Sequence, residues 1–291
     1  NVTRVQIIND RGIHICKSML AWFKFGDGET PDSSGLKGDY LVGKYYILFE
    51  TKYQEEIKTL KLKGYSDEDA RSNSKMMNEA KEMLRKWESG DLEVINLWET
   101  MNSWVYNGFN ATYQKIGVVF DKNYYESDTY LTGKKHVLNG VDSGLFNKNS
   151  DGSIWVNLEE DNLDQKLLLR SDGTAVYMTQ DLGTAIIRYE DFQFDNMIYV
   201  VGNEQNHHFN VLFKILHKMS FKWAKTLFHL SYGMVNLPDG KMKSREGTVI
   251  DIDDLLNEMY QKSKAIILNS SKSNIESIEK LSVLVGNAAL K

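Results

Sequence analysis

The chain has 291 residues, of which 42% are hydrophobic and 26% are charged, a composition typical of a folded globular protein. A formal net charge of −5 excludes a uniformly basic surface, although a local basic patch can still bind a nucleic acid. The single cysteine, Cys16, excludes an intramolecular disulfide and a zinc site built from several cysteines. We expect a cytoplasmic protein without a membrane segment, because no apolar run reaches the roughly 18 residues needed to span a bilayer and no signal peptide opens the sequence.

The first residues predict a strand, a turn and a helix. Residues 2–8 have a strand pattern, residues 9–12 form an Asn-Asp-Arg-Gly turn, and residues 13–25 have helical periodicity with Asp10 near the helix start. Residues 26–43 are rich in Gly, Asp and Ser and predict a loop. Because the sequence opens inside a strand pattern rather than on Met, we expect a fragment of a longer chain.

A block of helical character extends from about residue 48 to residue 113. Apolar side chains recur at helical spacing in residues 67–87 and 92–106, and strand patterns are almost absent. This block is therefore predicted to be an inserted helical module.

Strand and helix patterns alternate again in the rest of the chain. Strands are predicted at 117–120, 154–156, 167–170, 197–202 and 228–235, and helices at 209–219 and 250–267. Residues 197–202 have the continuous apolar character of a buried parallel strand. The alternation predicts an α/β fold, a Rossmann-like doubly wound parallel sheet with an inserted, mainly helical module. Ligands of such sheets bind beyond the carboxyl ends of the strands.

The first candidate site follows the strand predicted at 167–170. Tyr177 and Asp181 are four residues apart and would share one face of a helix. A carboxylate beside a phenol suits a planar cation such as a guanidinium, which can donate two parallel hydrogen bonds to the carboxylate. The same spacing also occurs on solvated helix faces, so the pair alone leaves both interpretations open.

The second candidate site is the junction between a strand ending at Gly202 and the helix that follows it. The glycine lets backbone groups approach a ligand, and Glu204 could accept hydrogen bonds from both hydroxyls of a ribose. His207 and His208 are adjacent and would diverge by about 100° on a helix, so we predict no metal site. A helix cap with a histidine packed on the sheet is the alternative interpretation.

The third candidate site is the segment 237–247, which places Lys241, Lys243 and Arg245 between two glycines. Cations on a hinged loop fit a polyphosphate and can stabilise the charge that develops in its transition state. A solvated basic turn is the alternative interpretation.

Together, these groups resemble the arginyl-tRNA synthetases, class I aminoacyl-tRNA synthetases, over nearly the whole chain. Residues 9–19 are similar to the family segment that follows the second Rossmann strand. Gly202-x-Glu204-Gln205-x-x-His208 is similar to the ribose-binding and amino-acid-binding motif of several class I synthetases. Lys241-Met242-Lys243-Ser244-Arg245 stands in the place of the Lys-Met-Ser-Lys-Ser loop, with Ser244 where the second lysine is expected.

The resemblance implies a role for each matching residue. Arginine would be bound by Tyr177 and Asp181 at its guanidinium, by Gln205 near its α-amino group and by Glu126 in the same pocket. ATP would be bound by Gly202, Glu204, His208, Met234 and Val235. The catalytic cations would be Lys241, Lys243 and Arg245.

Two features of the family are absent from the sequence. The His-Ile-Gly-His signature is missing, and His14 does not replace it because it lies on the wrong side of the second strand. The helical anticodon-binding domain is also missing. The expected organisation is a first part of the catalytic domain at 1–49, without its N-terminal strand and signature, a helical insertion at 50–115, a second part at 116–250, and at 251–291 the helical start of a link to the anticodon-binding domain.

The resemblance implies an arginine–tRNA ligase, which activates arginine with ATP and transfers it to the 3′ end of its tRNA. ATP is expected as a substrate with Mg²⁺, and no tightly bound cofactor is expected. We expect a cytoplasmic monomer whose partners are arginine, ATP and tRNA(Arg). The fragment alone is expected to be inactive.

Two other functions are compatible with parts of the sequence. A non-catalytic, synthetase-like fragment or paralogue could bind nucleotide, arginine or RNA, and the missing His-Ile-Gly-His favours it. A dinucleotide-dependent oxidoreductase would fit the alternating elements, but the sequence lacks the Gly-x-Gly-x-x-Gly turn that such enzymes use.

Overall fold

The computed structural model describes residues 1–233, 251–270 and 275–290. The chain folds into two compact units. The first unit contains residues 1–10 and 120–236, and the second contains residues 11–119 and 237–291. The domain boundaries predicted from the sequence stay a prediction.

The described residues form strands and helices in the following order along the chain. The strands are β1 (Val5–Ile8), β2 (Lys122–Tyr125), β3 (Asn147–Lys148), β4 (Ile154–Val156), β5 (Lys166–Leu169), β6 (Met197–Gly202) and β7 (Leu227–Tyr232). The helices are α1 (Ile13–Phe25), α2 (Pro31–Ser34), α3 (Gly38–Leu62), α4 (Asp67–Ser72), α5 (Lys75–Glu88), α6 (Leu92–Ile116), α7 (Glu126–Asp142), α8 (Tyr177–Phe192), α9 (Asn206–Lys218), α10 (Ile252–Ser270) and α11 (Ile275–Leu290).

Parallel strand pairs are present at two places in the first unit. β1 pairs with β2, and β6 pairs with β7, each along the full length of both strands. A helix follows each of β2, β5 and β6, so strands and helices alternate as the sequence predicts. The predicted α/β, Rossmann-like fold class is confirmed.

The strands predicted at 154–156 and 167–170 are present as β4 and β5, but they pair antiparallel. They form one sheet with β3, in the order β3-β4-β5. A parallel return needs a crossover of about a dozen residues or more, usually a helix, whereas β4 and β5 are separated by a short segment with a single 3₁₀ turn at Glu159–Asp161. The expectation that these two strands join the parallel sheet is therefore wrong.

The prediction of a strand at 117–120 is also wrong. The turn that ends helix α6 occupies the start of this segment. Gly117 adopts a left-handed backbone with φ of 67° at the end of α6, and the nitrogen of Val118 donates to the carbonyl of Tyr113 at 2.9 Å. This arrangement closes the last helical turn. The strand begins only at Lys122.

The loop predicted at 26–43 contains two helix starts. Thr30 caps the short helix α2, and Pro31 occupies its first position. The long helix α3 begins at Gly38, where a Cβ would lie 2.1 Å from the carbonyl oxygen of Trp104. The glycine is therefore required by close packing of α3 on α6, which a local pattern does not reveal.

Two glycines bring α7 and α8 into backbone contact in the first unit. A Cβ on Gly133 would lie 1.9 Å from the carbonyl oxygen of Thr179, and a Cβ on Gly183 would lie 2.1 Å from that of Thr129. Leu182 of α8 is fully buried. The start of α8, which carries Tyr177 and Asp181, is therefore held firmly against α7.

The described part of the second unit is mainly helical, and for residues 48–113 this agrees with the prediction. Its core forms where α1 packs on α3 and α5, with Leu20, Leu41 and Phe49 buried. Helix α10 is joined to this core by the carboxylate of Asp253, which accepts from Lys37 and Thr112. An ion pair and a hydroxyl therefore anchor the start of α10.

Strand β6 was predicted to be buried, and only one of its faces is. The ring of Tyr199 packs against Phe209 and Phe213 of α9, with ring centres 4.9 and 5.6 Å apart. On the opposite face Ile198 is 58% exposed and Val200 is 63% exposed. Within the described residues, helix α9 therefore covers one face of the β6–β7 pair and leaves the other exposed.

Candidate active site

The carboxyl ends of β1 and β2 are joined by a carboxylate. Asp10 follows β1, and its side chain accepts from the backbone nitrogen of Ser127 at 2.9 Å and from the Ser127 hydroxyl at 2.6 Å. Asp10 thus accepts hydrogen bonds from the first turn of α7. Asp10 precedes α1 closely, as the sequence predicts, and parallel pairing of β1 with β2 brings the start of α7 to it.

Glu126 is the first residue of α7 and is 9% exposed. The Asp10–Ser127 contact holds the adjacent backbone and therefore fixes where Glu126 lies. Burial raises the pKa of the nearby Asp128 carboxyl, and the negative charge of Asp10 raises it further. The end of the β1–β2 pair is thus an acidic site, as binding of a cation requires.

The prediction that Tyr177 and Asp181 lie four residues apart on one helix is confirmed. Helix α8 begins at Tyr177, after a turn in which the backbone nitrogen and hydroxyl of Thr174 both donate to Asp172. Tyr177 is 60% exposed, and the Asp181 side chain is 34% exposed. The phenol and the carboxylate therefore lie one helical turn apart on an accessible face.

Asp181 has a partner that the sequence did not indicate. The Nε2 atom of His208, on α9, lies 2.6 Å from Oδ2 of Asp181. The neighbouring His207 is exposed. The two adjacent histidines therefore diverge, as the helical spacing predicts.

The end of β6 has the predicted glycine and carboxylate. A 3₁₀ turn at Asn203–Gln205 leads from Gly202 into α9. A Cβ on Gly202 would lie 2.6 and 2.7 Å from the two carboxylate oxygens of Glu204. The Glu204 carboxylate therefore folds back over the strand end, while Glu204 itself stays exposed to solvent.

A buried arginine that the sequence analysis did not single out lies behind these elements. Arg188 of α8 is 5% exposed, and its guanidinium carbon lies 5.2 Å from the ring centre of Tyr124 and 5.7 Å from that of Tyr199. Burial raises the pKa of Tyr199 to about 12, with Arg188 acting in the opposite direction. A lone arginine after Ile186-Ile187 is the local signal that could have identified it.

Five of the predicted site residues, two for ATP binding and the three cations of the loop, lie outside the described part of the chain. These are Met234, Val235, Lys241, Lys243 and Arg245. In the part that the structure describes, no group of three His, Cys, Asp or Glu side chains could hold a metal ion. Across the same ranges, no helix has both the length and the apolar character needed to cross a bilayer.

Comparison with known proteins identifies the family. The family described as tRNA synthetases class I (R), catalytic domain, matches residues 46–291. The chain belongs to this family. The resemblance to arginyl-tRNA synthetases, drawn above from the motifs, is confirmed.

Curated relatives of this synthetase domain match it along its whole length. An arginine–tRNA ligase from Bacteroides fragilis (strain YCH46) is 57% identical over 293 residues, which cover 100% of this chain and 49% of the relative. One from Flavobacterium psychrophilum is 56% identical over 294 residues, with the same shares. The chain spans about half the length of the curated relatives it matches.

Two solved structures share the fold of the synthetase domain. The arginyl-tRNA synthetase of Thermus thermophilus superposes with a TM-score of 0.72 at 19% identity, covering 100% of this chain and 50% of that one. The enzyme from Plasmodium falciparum superposes with a TM-score of 0.69 at 19% identity, covering 100% and 44%. At this identity the likeness concerns the fold alone.

Proposed function

We propose that the chain acts as the catalytic part of an arginine–tRNA ligase. The observation that carries this proposal is the start of α8, where Tyr177 and Asp181 lie one turn apart with the carboxylate accessible to solvent. A guanidinium can donate two hydrogen bonds to such a carboxylate, and its charge matches that of the site. The family membership and the relatives' activity support the same substrate.

The proposed reaction has two steps. A carboxylate oxygen of arginine attacks the α-phosphorus of ATP, and the bond to pyrophosphate breaks. A terminal ribose hydroxyl of tRNA(Arg) then attacks the carbonyl carbon of the adenylate, and AMP leaves. Such catalysis depends on positioning and on electrostatic stabilisation of the phosphoryl transition state, without a nucleophilic side chain.

Each proposed residue has one task in this scheme. Asp181 and Tyr177 select the guanidinium, Glu126 lines the same pocket, and Gln205 meets the α-amino group. Glu204 binds the ribose of ATP, Gly202, Met234 and Val235 also bind ATP, and Mg²⁺ accompanies the triphosphate. Lys241, Lys243 and Arg245 stabilise the phosphates. His208, assigned to ATP from the family motif, contacts Asp181 in this structure, which favours a role beside arginine.

We also propose that the enzyme is a cytoplasmic monomer.

The substitution Asp181→Asn tests the proposal, in the chain extended to the length of its relatives by its own coding sequence. Replacing the carboxylate with an amide of the same size removes the charge partner of the guanidinium. We expect at least about a thirtyfold loss of arginine affinity, equivalent to about 2 kcal/mol or more, with nearly unchanged ATP binding. Arginine-dependent exchange of pyrophosphate into ATP reports both. Unchanged arginine affinity in this variant would contradict the assignment.

Citrulline provides a test that leaves the protein unchanged. It has the shape of arginine but is neutral, so it would leave the Asp181 carboxylate without a cationic partner. A site built around this ion pair should reject it strongly. Citrulline-dependent exchange at a rate similar to that with arginine would show that charge is not what the pocket selects.

A further inference from the structure

One contact joins two elements of the candidate site. His208 on α9 and Asp181 on α8 are 27 residues apart in the sequence, and their side chains meet at 2.6 Å between Nε2 and Oδ2. An ionised carboxylate only accepts hydrogen bonds, so the Nε2 atom of His208 carries the proton that is shared in this contact. The contact engages Oδ2 of Asp181 and not its second oxygen.

The surroundings hold the imidazole in place. Its ring stands edge-on to Phe209, with ring centres 5.7 Å apart. Phe209 is 8% exposed and packs in turn on Tyr199 and His229, at 4.9 and 4.4 Å between ring centres. The His208 side chain is 23% exposed, so the donor is supported by the aromatic cluster on one side and reaches the accessible carboxylate on the other.

We propose that His208 is a positioning residue for arginine, acting through Asp181. Its Nε2–H fixes one carboxylate oxygen, so that the other oxygen and the remaining lone pairs are directed to the guanidinium. This inference rests on the proposed function, since it names the residue that prepares the same site. It moves His208 from the ATP side of the site to the arginine side.

The chemistry of the donor supports this role. A carboxylate has about four acceptor positions, and one hydrogen bond from a side chain occupies one of them. A neutral imidazole can orient a carboxylate without cancelling its charge. A lysine or arginine in the same place would be a cation that competes with the guanidinium of the ligand for the carboxylate. A binding group held in one geometry before the ligand arrives also loses less conformational entropy on binding.

The experiment compares three substitutions in the chain extended to the length of its relatives. His208→Leu removes the donor but keeps much of the volume, and His208→Gln keeps a neutral N–H at a similar reach. His207→Leu is the matched control, because His207 is the neighbouring exposed histidine. The KM values for arginine and for ATP are measured separately by pyrophosphate exchange, together with kcat and the melting temperature.

We expect His208→Leu to raise the KM for arginine about tenfold, the effect of losing one hydrogen bond to a charged group, with the KM for ATP changed less than about twofold. His208→Gln should restore most of the loss, and His207→Leu should behave as the wild type. Weakened ATP binding with an unchanged KM for arginine would overturn the inference. A His208→Gln variant as poor as His208→Leu would overturn it as well, because the donor would then not matter.

A double substitution tests whether His208 acts through Asp181 and also covers poor folding of a single variant. In an Asp181→Asn background, adding His208→Leu should change the KM for arginine little, because the group that His208 orients is already altered. An effect as large as in the wild type would refute action through Asp181. A wild-type protein without arginine-dependent exchange would instead refute the proposed function itself.

Discussion

The carboxylate of Asp10 accepts two hydrogen bonds from one residue, the nitrogen and the hydroxyl of Ser127, at 2.9 and 2.6 Å. Asp10 is 2% exposed and Ser127 is half-buried, so both bonds are partly shielded from water. They join the segment after β1 to the start of α7, next to the buried Glu126. The contact therefore helps to fix the geometry of this corner.

We expect Asp10→Ala to lower the free energy of unfolding by about 1 to 3 kcal/mol, because it removes the carboxylate that accepts from the first turn of α7 and leaves a buried N–H without its acceptor. Urea denaturation measures this change. Ser127→Ala, which keeps the backbone bond, should have a smaller effect. If the two substitutions were fully additive in the double variant, the two groups would not be coupled as the structure indicates.

The glycines between α7 and α8 give a prediction with an internal control. A Cβ at position 183 would lie 2.1 Å from the carbonyl oxygen of Thr129, so Gly183→Ala should force the helices apart and destabilise the protein by about 1 to 3 kcal/mol. Gly43 lies inside α3, and a Cβ there would have no described atom within 4 Å, so Gly43→Ala should stabilise by about 0.5 to 1 kcal/mol. Thermal unfolding of both variants measures the opposite signs, and destabilisation by both would contradict the packing argument.

Asp253 predicts a pH dependence of stability in the second unit. Burial alone would raise the pKa of this carboxyl, but hydrogen bonds from Lys115, Lys37 and Thr112 outweigh burial and lower the pKa far below its ordinary value. A lowered pKa in the folded state means that the carboxylate stabilises the fold above its ordinary pKa and loses this effect as the pH falls through and below that value.

We therefore expect Asp253→Asn to cost about 3 kcal/mol at neutral pH, since it breaks a largely buried ion pair. The difference from the wild type should shrink as the pH falls from about 5 towards 2. Asp254→Asn is the control, because Asp254 is exposed on the same helix. Chemical denaturation at a series of pH values measures the difference, and a constant difference across this range would contradict the role of ionised Asp253.

The cations of the segment 237–247 should affect the rate of the reaction more than binding. Their role is predicted from the sequence, since they lie outside the described residues. A group that acts only as ATP passes to the transition state changes the rate and not ground-state affinity. Replacing Lys241 and Lys243 together by Ala in the extended chain should slow adenylate formation about a hundredfold or more, at least about 2.7 kcal/mol. Stopped-flow kinetics measures the rate of adenylate formation. A double variant that forms the adenylate at the normal rate but binds arginine more weakly would contradict this role.

The 291-residue chain by itself should show little or no arginine-dependent pyrophosphate exchange. The His-Ile-Gly-His signature, which the family uses at the phosphates, is absent from these residues. Radiolabelled pyrophosphate exchange with the purified chain measures this directly. Robust exchange would show that the signature is dispensable for adenylation here.

Local patterns in the sequence were sufficient for most of the elements and for several candidate residues. The helix at Ile13–Phe25 and the strand at Met197–Gly202 have the predicted bounds, because apolar periodicity and punctuation by glycine are local properties. The pairing of Tyr177 with Asp181 followed from helical spacing alone. The order of the three polar segments was enough to indicate the family.

Tertiary structure decided what lies between distant segments. Antiparallel pairing of β4 with β5, the start of α3 at Gly38, the Asp10 contact with Ser127 and the His208 contact with Asp181 all depend on how separate elements pack. Periodicity reports which face of an element is buried, but it contains no information on which partner meets that face. These side chains therefore meet their hydrogen-bond partners only when packing brings a donor and an acceptor from two elements within about 3 Å of each other.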